Sequence, residues 1–462
     1  MKIFNVLDFG AKADGITLDS PAVQKAVDAC HGAGGGEVFF PKGIYVLATV
    51  FLKSHVHITF EKGTHILGAL DFYAYAQQEE IAYPLYQDAS HSYFDLAMFV
   101  GKYCEDISII GPAVIDMRCV WDEDGVRGEA IRHRGPKGIS LKECNGVELA
   151  DFTLNNVTDL AIYFAGCNEV EIHGIQMRVF IDGISPDNCK NVKIYDCDVE
   201  SGDDGIVFKS SYTLNRIDIC KNIEVRNCRV KSRCSALKIG TETNGGFENI
   251  LFENIEVYDS VITAVAIESV DGAVIDGLKM KDINIKNCNG LLYITLGDRM
   301  RGPEGRSVGA VRNVTLENIT VEGPYEPYPI MPSSYFSYKD KDYYQIPWHF
   351  KPVEEGQERC GREDAWQITS GICGMPDHPL ENITLKNVRM RVVGGVQEYE
   401  REVPEPARKY PEITNMGWNL PAKGIFFRHI KGLTLENVSV DSFMSDARED
   451  FIFEDVSDLV VK

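Results

Sequence analysis

Three aspartates lie in two short segments of the chain that share one pattern. Asp182 directly precedes residues 183–185, and Asp203 with Asp204 directly precedes the apolar residues 205–208. Asp182 and Asp204 are 22 residues apart (204 − 182), which is the repeat length in this part of the chain. If each repeat forms one coil, we expect their Cα atoms to be about 4.8 Å apart, the spacing of neighbouring strands. Carboxylates crowded on one exposed face resist joint ionisation, so the arrangement indicates acid and base chemistry.

The elements that must position these acids are repeated strands. Ten segments share a template in which alternating apolar residues surround an Asn, Asp or Gly. They are DISIIGPAV (106), GVELADFTL (146), EVEIHGIQM (169), NVKIYDCDV (191), NIEVRNCRV (222), NILFENIEV (249), GLKMKDINI (277), NVTLENITV (313), NITLKNVRM (382) and GLTLENVSV (432). Alternation with a period of two predicts strands. Recurrence every 22–36 residues or so through the middle of the chain predicts a solenoid with one coil per repeat.

Asparagine or aspartate recurs at the bend of eight segments, where the chain must turn sharply. These residues are Asp151, Asp196, Asn227, Asn254, Asp282, Asn318, Asn387 and Asn437. Both residue types tolerate the left-handed backbone conformation, and stacked Asn side chains can bond to one another along the axis. The linkers are too short for the helices of a doubly wound fold. The sequence therefore predicts an all-β, single-domain, right-handed parallel β-helix with an N-terminal capping helix and long loops.

The capping helix is expected within residues 1–70, which we interpret as an N-terminal cap. Asp19 or Ser20 can occupy the N-cap position, with Pro21 at the first helical position. The apolar face of this helix consists of Ala22, Val23, Ala26, Val27 and Cys30. Such a helix would cover the exposed edges at the end of the strand stack. The remaining coils are assigned to residues 104–321, which contain the acids, and 380–462.

Two segments interrupt the repeats and are unusually rich in aromatic residues. Residues 71–100 contain eight Tyr or Phe residues, and residues 322–379 combine prolines with many Tyr and Trp residues. Proline excludes regular strands, and long loops in compact folds are commonly functional. We interpret the second segment as a lid or wall of a groove, or alternatively as a subunit contact. Together, loops 71–135 and 322–379 are long enough to block one end of an open groove.

The composition narrows the range of partners. The net charge of −22 argues against nucleic acid and anionic membranes as partners, and no stretch of about 18 apolar residues exists to span a bilayer. The thirteen cysteines favour reduced thiols and a cytoplasmic location. Five of them recur in register with the strands, and they form either a metal cluster or, as we favour, a buried stack of small apolar side chains. They are Cys104, Cys144, Cys167, Cys189 and Cys220.

The chain resembles glycoside hydrolase family 28, the polygalacturonase family of pectin-degrading β-helix enzymes. The likeness begins with residues 8–15 and continues through 34–54, but its specific part is DGISPD at 182–187 followed by SGDDGIVFKS at 201–210. The resemblance implies that Asp203 is the general acid and that Asp182 and Asp204 hold and activate the attacking water. An inverting hydrolase needs its two carboxyl groups about 6.5–9.5 Å apart to leave room for that water. The alternative is that these acids cap turns or bind a structural cation.

The chain departs from the family pattern where cations are expected. The family's Gly-His-Gly falls on Cys234-Ser235-Ala236, and its Arg-Ile-Lys falls on Ala266-Ile267-Glu268. Either the bound sugar is neutral, for example a deoxyhexose or pentose, or replacement cations come from the loop of residues 296–306. The candidate substrate-binding residues are Lys209, Lys238, Glu268, Arg299 and Arg301, with Arg306 as a further source of charge.

These observations favour an inverting hydrolase that trims the ends of pectin-type oligosaccharides and uses no cofactor or metal. A polysaccharide lyase on the same fold is one alternative, since a lyase would use Ca²⁺ and a basic Arg or Lys. A non-catalytic carbohydrate-binding β-helix is the other, because the family's His and its Arg and Lys are missing. Exposed coil ends and Tyr-rich loops also make a homo-oligomer plausible.

Overall fold

A computed structural model of the chain describes residues 2–120, 134–323, 368–399, 401–405, 411, 416 and 420–462. The chain divides into two compact units. The first comprises Met1–Ser201 with Ile206–Cys228, and the second comprises Gly202–Gly205 with Arg229–Lys462. Whether the two units act as the predicted single domain stays a prediction. The described residues contain no helix with the length and apolar character required to cross a membrane.

The first unit consists of short parallel strands, one α-helix and three 3-10 turns. Its strands are β1 (Ile3–Asn5), β2 (Asp14–Leu18), β3 (Gly36–Phe40), β4 (Ile44–Leu47), β5 (Val50–Phe51), β6 (Val56–Phe60), β7 (His65–Gly68), β8 (Ala97–Lys102), β9 (Glu105–Ile110), β10 (Val114–Asp116), β11 (Lys137–Lys142), β12 (Asn145–Ala150), β13 (Thr153–Asn155), β14 (Ile162–Ala165), β15 (Asn168–His173), β16 (Gln176–Val179), β17 (Ile184–Asp187), β18 (Lys190–Tyr195), β19 (Asp198–Ser201), β20 (Ile206–Ser210) and β21 (Ile219–Arg226). The 3-10 turns are Val6–Phe9, Phe72–Ala74 and Ala89–His91, and the helix is α1 (Ser20–Gly32).

Strands one coil apart pair in parallel, so that like residues stack. Val147 pairs with Val170, Val170 with Val192, and Val192 with Ile223. All four side chains are buried, because the inward positions of successive strands form a continuous apolar core. The coil repeat predicted from the sequence is confirmed for these strands.

The helix α1 forms where the sequence predicts it. All five residues of its predicted apolar face are buried, and the helix packs against β1, β3, β5 and β6 at the start of the strand stack. Asp19 is the N-cap residue, but its side chain does not cap the helix. Its carboxylate instead accepts hydrogen bonds from the backbone N–H groups of Lys12 and Ala13. Asp19 therefore fixes the preceding loop rather than the first helical turn.

The second unit has fewer and longer strands. They are β22 (Arg229–Ser232), β23 (Ser235–Thr243), β24 (Gly246–Tyr258), β25 (Thr263–Ser269), β26 (Val274–Lys286), β27 (Leu292–Leu296), β28 (Ala310–Glu322), β29 (Ser370–Cys373), β30 (Leu380–Gly394), β31 (Ala422–Met444) and β32 (Glu449–Val461). Leu278, Val314, Ile383 and Leu433 stack in register on four of these strands and are buried. Strand β29 lies within the predicted insertion 322–379, so coil structure resumes before residue 379. Residues 324–367 of that insertion, with most of its aromatic side chains, lie outside the described residues.

The bends have the predicted conformation and the predicted ladder of side chains. All eight Asn and Asp residues named for the bends have φ between 53° and 61°. In the second unit, Asn437 donates to Asn387, Asn387 to Asn318, and Asn318 to Asp282, over 2.8–3.0 Å. A sharp turn that is bonded to the next coil fixes the strand register, because a slip of one residue would break every bond in the ladder.

The cysteines that recur in register are buried thiols of the core. Cys104, Cys144, Cys167, Cys189 and Cys220 are all buried in the first unit, and the twelve described cysteines are free thiols. The backbone N–H of Cys144 donates to the Sγ atom of Cys167 at 3.4 Å. The interpretation as a buried stack of small apolar side chains therefore describes these residues.

Candidate active site

Asp182 lies in the first unit, on the bend between β16 and β17. Only 3% of the residue is exposed. One carboxylate oxygen, Oδ2, is 3.6 Å from Nε2 of His91 and 3.4 Å from the hydroxyl of Ser185, which donates to it. The backbone carbonyl of Asp182 accepts a hydrogen bond from Ala161 on the preceding coil. Backbone and side chain are thus both held by neighbouring groups.

Asp187, at the end of β17, and Lys209, on β20, occupy paired positions. Strand β17 pairs with β20, so that Ile184 is opposite Ile206 and Asp187 is opposite Lys209. The register confirms the 22-residue coil between these two strands. Both Asp187 and Lys209 are buried, so Lys209 lies within the unit beside Asp187 rather than on an open surface.

The carboxyl group of Asp187 is enclosed by donors. The backbone N–H and the hydroxyl of Ser211 both donate to its oxygens. The hydroxyl of Tyr163 lies 3.3 Å from Oδ2 and shares its proton between this oxygen and the backbone carbonyl of His91, which is nearer at 2.7 Å. Burial raises the pKa of Asp187, while the hydrogen bonds from Ser211 oppose that shift. Its contacts thus join Asp187 to residues of the preceding coil (Tyr163) and of the following one (Ser211).

Asp203 and Asp204 lie in the second unit, in the segment Gly202–Gly205. Asp204 is 4% exposed, and Asp203 is half-buried. Lys238 of β23 contacts both oxygens of Asp204, at 3.3 Å to Oδ1 and 3.1 Å to Oδ2. The backbone N–H of Ser235 also donates to Oδ1 of Asp204. An ammonium group this close favours the ionised form of Asp204, because opposite charges attract strongly where water is excluded.

Glu268 of β25 shares the same lysine. Its Oε2 atom is 3.8 Å from Nζ of Lys238, and both side chains are about 5% exposed. Lys238 therefore lies between two buried carboxylates, those of Asp204 and Glu268. The sequence predicts Lys238 and Glu268 as separate substrate-binding residues, whereas the structure places them in one ionic cluster.

The arginines of the loop after β27 gather around Asp271. Arg299 donates from Nε to Oδ1 of Asp271 at 2.9 Å and from a terminal nitrogen to Oδ2. The backbone N–H of Arg301 donates to Oδ1 of Asp271, and Nε of Arg306 donates to the backbone carbonyl of Asp271. The Arg301 side chain is 34% exposed and lies 3.9 Å from Glu242. Asp271 thus neutralises Arg299 and orders the loop, and Arg301 presents more of its charge to solvent.

The expectation that the three acids share an exposed face is wrong for Asp182 and Asp204. Both are buried because named neighbours cover them: His91 and Ser185 in one unit, Ser235 and Lys238 in the other. The juxtaposition of Asp182 with Asp203 and Asp204 stays a prediction. The sequence analysis does not identify His91 as a site residue, because His91 lies in an irregular loop with no periodic pattern.

One group of potential metal donors occurs among the described residues. An oxygen of Asp203, an oxygen of Asp204 and the Sγ atom of Cys234 lie within 4.8 Å of one another. Carboxylate and thiolate donors are a poor set for Ca²⁺, which prefers six to eight oxygens. The sequence prediction of a reaction without metal stays a prediction.

Comparison with known proteins relates this chain to enzymes of pectin breakdown. A family model described as "Rhamnogalacturonase A/epimerase, pectate lyase-like" matches residues 3–76. The chain is 26% identical over 270 residues to a probable polygalacturonase of Vitis vinifera, and the match covers 55% of each protein. It is 22% identical over 451 residues to an exo-poly-alpha-D-galacturonosidase of Dickeya chrysanthemi, covering 84% of this chain and 71% of that protein. The chain thus spans about half the length of the first relative.

A solved structure has the same fold over nearly the whole chain. The family 28 exopolygalacturonase of Yersinia enterocolitica superimposes with a TM-score of 0.66 at 16% identity, covering 98% of this chain and 78% of that one. At this identity the likeness shows the fold, and the predicted right-handed parallel β-helix is confirmed. The chain is thus similar in sequence to proteins named as polygalacturonases and has the parallel β-helix fold of a family 28 exopolygalacturonase.

Proposed function

We propose that this protein is an inverting glycoside hydrolase that cleaves O-glycosidic bonds in pectin-type oligosaccharides. Asp203 serves as general acid at the leaving oxygen, and Asp182 and Asp204 hold and activate the attacking water. The proposal combines the relatives, whose names describe galacturonan cleavage, with the 22-residue register of β17 and β20. In the sequence, each acidic segment stands directly before one of these two strands.

The contacts of Lys238 support different roles for the two adjacent acids. Lys238 favours the ionised form of Asp204, as a group that polarises water requires. The carboxyl oxygens of Asp203 and Asp204 approach within 4.8 Å, so the charge on Asp204 favours the protonated form of Asp203. A retained proton is what a general acid needs at its leaving group. Asp203 is also the most exposed of the three acids, in keeping with direct contact to a substrate.

The charges near Glu268 support a neutral sugar at that subsite. Lys238 already lies between the carboxylates of Asp204 and Glu268, and Arg299 is paired with Asp271. Neither cation is then in surplus to bind a sugar carboxylate, although the side chain of Arg301 is 34% exposed. We propose that the sugar released is a deoxyhexose or a pentose rather than galacturonate.

Exo action is the mode that fits the first aromatic loop. This loop packs onto the connection between β20 and β21 of the first unit: Tyr83 donates to the carbonyl of Thr213, and Tyr86 contacts Tyr212 edge-to-face at 5.4 Å. An ordered loop beside the acidic motif favours a closed end over an open groove. The names of the Dickeya and Yersinia proteins, both exo-acting, favour the same mode.

The test is a screen of aryl deoxyhexosides, aryl pentosides, digalacturonate and pectin-derived oligosaccharides, with wild-type protein and the variant Asp203→Asn. We expect a monosaccharide as the first product and loss of activity in the variant, with an unchanged circular dichroism spectrum. The control for nonspecific effects of substitution is Ser307→Ala, at an exposed position of the loop after β27. If the Asp203→Asn variant turned over substrate at the wild-type rate, Asp203 would not be the general acid.

The same screen separates the two alternatives. A lyase would form an unsaturated product that absorbs in the ultraviolet, and a chelator would stop its formation. Binding without turnover across the whole panel would identify a carbohydrate-binding protein. Internal cleavage of a polymer would contradict the exo assignment while leaving hydrolysis in place.

A further inference from the structure

A buried histidine faces the acidic motif of the first unit. His91 ends the 3-10 turn Ala89–His91 and is 4% exposed. Its Nε2 atom is 3.6 Å from Oδ2 of Asp182, and each of these two side chains is 5% exposed. Neither ring nitrogen has a hydrogen-bond partner among the described residues. A buried polar group without such a partner is costly and calls for an explanation.

The imidazole is held in place by contacts that leave its nitrogens unused. The hydroxyls of Tyr163 and Thr213 both donate to the backbone carbonyl of His91. The ring packs edge-to-face on Tyr163, with 5.4 Å between centroids and planes inclined by 83°. The backbone N–H of His91 donates to Asp88. The orientation of the ring is therefore fixed by its neighbours, and that orientation directs Nε2 to Asp182.

The charged groups around the ring favour a donor at Nε2. Asp182 and Asp187 both interact with His91, and each is a carboxyl group buried in the same unit. The cations in this region are Lys209, opposite Asp187 in the strand register, Lys137, over the ring of Tyr163, and Arg134, which donates to the hydroxyl of Ser90. Each lysine also has another partner in this unit: Lys209 interacts with Asp187 and Lys137 donates to the carbonyl of Tyr93.

We propose that His91 is a positioning residue for Asp182, which it orients by donating a hydrogen bond from Nε2 to Oδ2. This inference rests on the proposed function. A small rotation shortens 3.6 Å to hydrogen-bond length, and contacts of this kind commonly tighten when substrate binds. Ser185 donates to the same oxygen. The two donors together fix the plane of the carboxylate, and with it the direction in which Asp182 presents itself to water.

Two neutral substitutions distinguish this role from packing. The side-chain amide nitrogen of Gln falls near the position of Nε2, whereas that of Asn falls near Nδ1. Because Nε2 is the atom that faces Asp182, we expect His91→Asn to lower kcat about 100-fold, the typical cost of misplacing a reacting group by 1 Å. KM should change little, since the role assigned to His91 is a contact with Asp182 and not with substrate. His91→Gln should restore most of the kcat.

The matched control is His173→Gln. His173 stacks on Tyr195 and contacts Glu148 on the surface of the same unit, and its substitution should leave kcat unchanged. Equal losses in His91→Asn and His91→Gln would show that the ring only fills space. Wild-type kcat in both variants would also overturn the proposal. The assays use whichever aryl glycoside or pectin oligosaccharide the wild-type protein hydrolyses.

A second measurement needs no substrate and separates this inference from the proposed function. Thermal unfolding midpoints are compared for His91→Asn, Asp182→Asn and the double variant. Residues in contact give non-additive effects, whereas independent sites give additive ones. We expect the double variant to lose less than the sum of the single losses. Additive losses would overturn the pairing of His91 with Asp182, even in a protein that hydrolyses pectin. If the wild-type protein cleaves no glycoside, the proposed function fails and this cycle alone decides the pairing.

Discussion

Lys238 is the residue whose removal has the most calculable consequence. The substitution Lys238→Met keeps most of the aliphatic volume of the side chain and deletes its ammonium group. The carboxylates of Asp204 and Glu268, each about 5% exposed, would then lose the cation that lies 3.1 Å and 3.8 Å from them. We expect a large loss of stability, because a buried charge without a partner is strongly unfavourable.

The magnitude follows from distance and burial. At an effective dielectric constant of about 20, the attraction is about 5 kcal/mol at 3.1 Å and about 4 kcal/mol at 3.8 Å. Removing the ammonium also removes its own desolvation penalty, which is several kcal/mol. The net loss in the free energy of unfolding should then be about 3–5 kcal/mol, the range measured when one partner of a buried pair is deleted.

The assay is urea unfolding followed by circular dichroism, with Lys279→Met as the matched control. Lys279 contacts Glu317 at the same 3.1 Å in the same unit, but the two side chains are 47% and 23% exposed. A pair so accessible to solvent contributes about 1 kcal/mol or less. The double variant Lys238→Met/Glu268→Gln should recover part of the loss, because one uncompensated carboxylate is removed. If Lys238→Met costs no more than Lys279→Met, the ammonium does not hold the two buried acids.

Three further predictions address substrate, metal and thiols. Glu268→Lys should raise the ratio of digalacturonate turnover to neutral aryl glycoside turnover by at least about tenfold, which corresponds to about 1.4 kcal/mol. An unchanged ratio would show that Glu268 does not determine the choice of sugar. Dialysis against EDTA should leave hydrolysis unchanged, and loss of activity that Ca²⁺ restores would contradict a metal-free reaction. Burial raises the pKa of Cys288 to about 12 and that of Cys119 to about 11, and thiolates rather than thiols react with Ellman's reagent. The eleven buried cysteines of a Cys360→Ser variant should therefore react at pH 8 only after unfolding. Fast reaction of more than one thiol in the native protein would show that core thiols are accessible, because Cys119 alone among the described cysteines is half-buried.

The fold was predictable because its determinants are local and repeated. Asn318, Asn387 and Asn437 each specify a left-handed bend by their own chemistry, and the same spacing recurs from coil to coil. Alternating apolar residues then fix which face of each strand is buried. The side chain of Asp19 shows the limit of local reasoning, since it bonds to the loop at Lys12 and Ala13 rather than to its own helix.

The candidate site was predictable only in part, because its contacts join distant parts of the sequence. The acidic bends are local motifs, and their spacing is visible in the chain. The contact of His91 with Asp182 joins residues that are 91 positions apart in the sequence (182 − 91), with several coils between them. Likewise, nothing local to Lys238 shows that it lies between Asp204 and Glu268, or that Arg299 is neutralised by Asp271. Such pairings depend on how side chains of different coils meet.

The most direct test of the central claim is the configuration of the first product, followed by proton NMR during hydrolysis of an aryl glycoside or oligosaccharide that the wild-type protein cleaves. In the proposed mechanism, Asp182 and Asp204 hold the water on the side of the sugar opposite the leaving oxygen, which Asp203 protonates. The first product should therefore have the inverted anomeric configuration. A product that first appears with retained configuration, or with a double bond in the ring, would contradict the account.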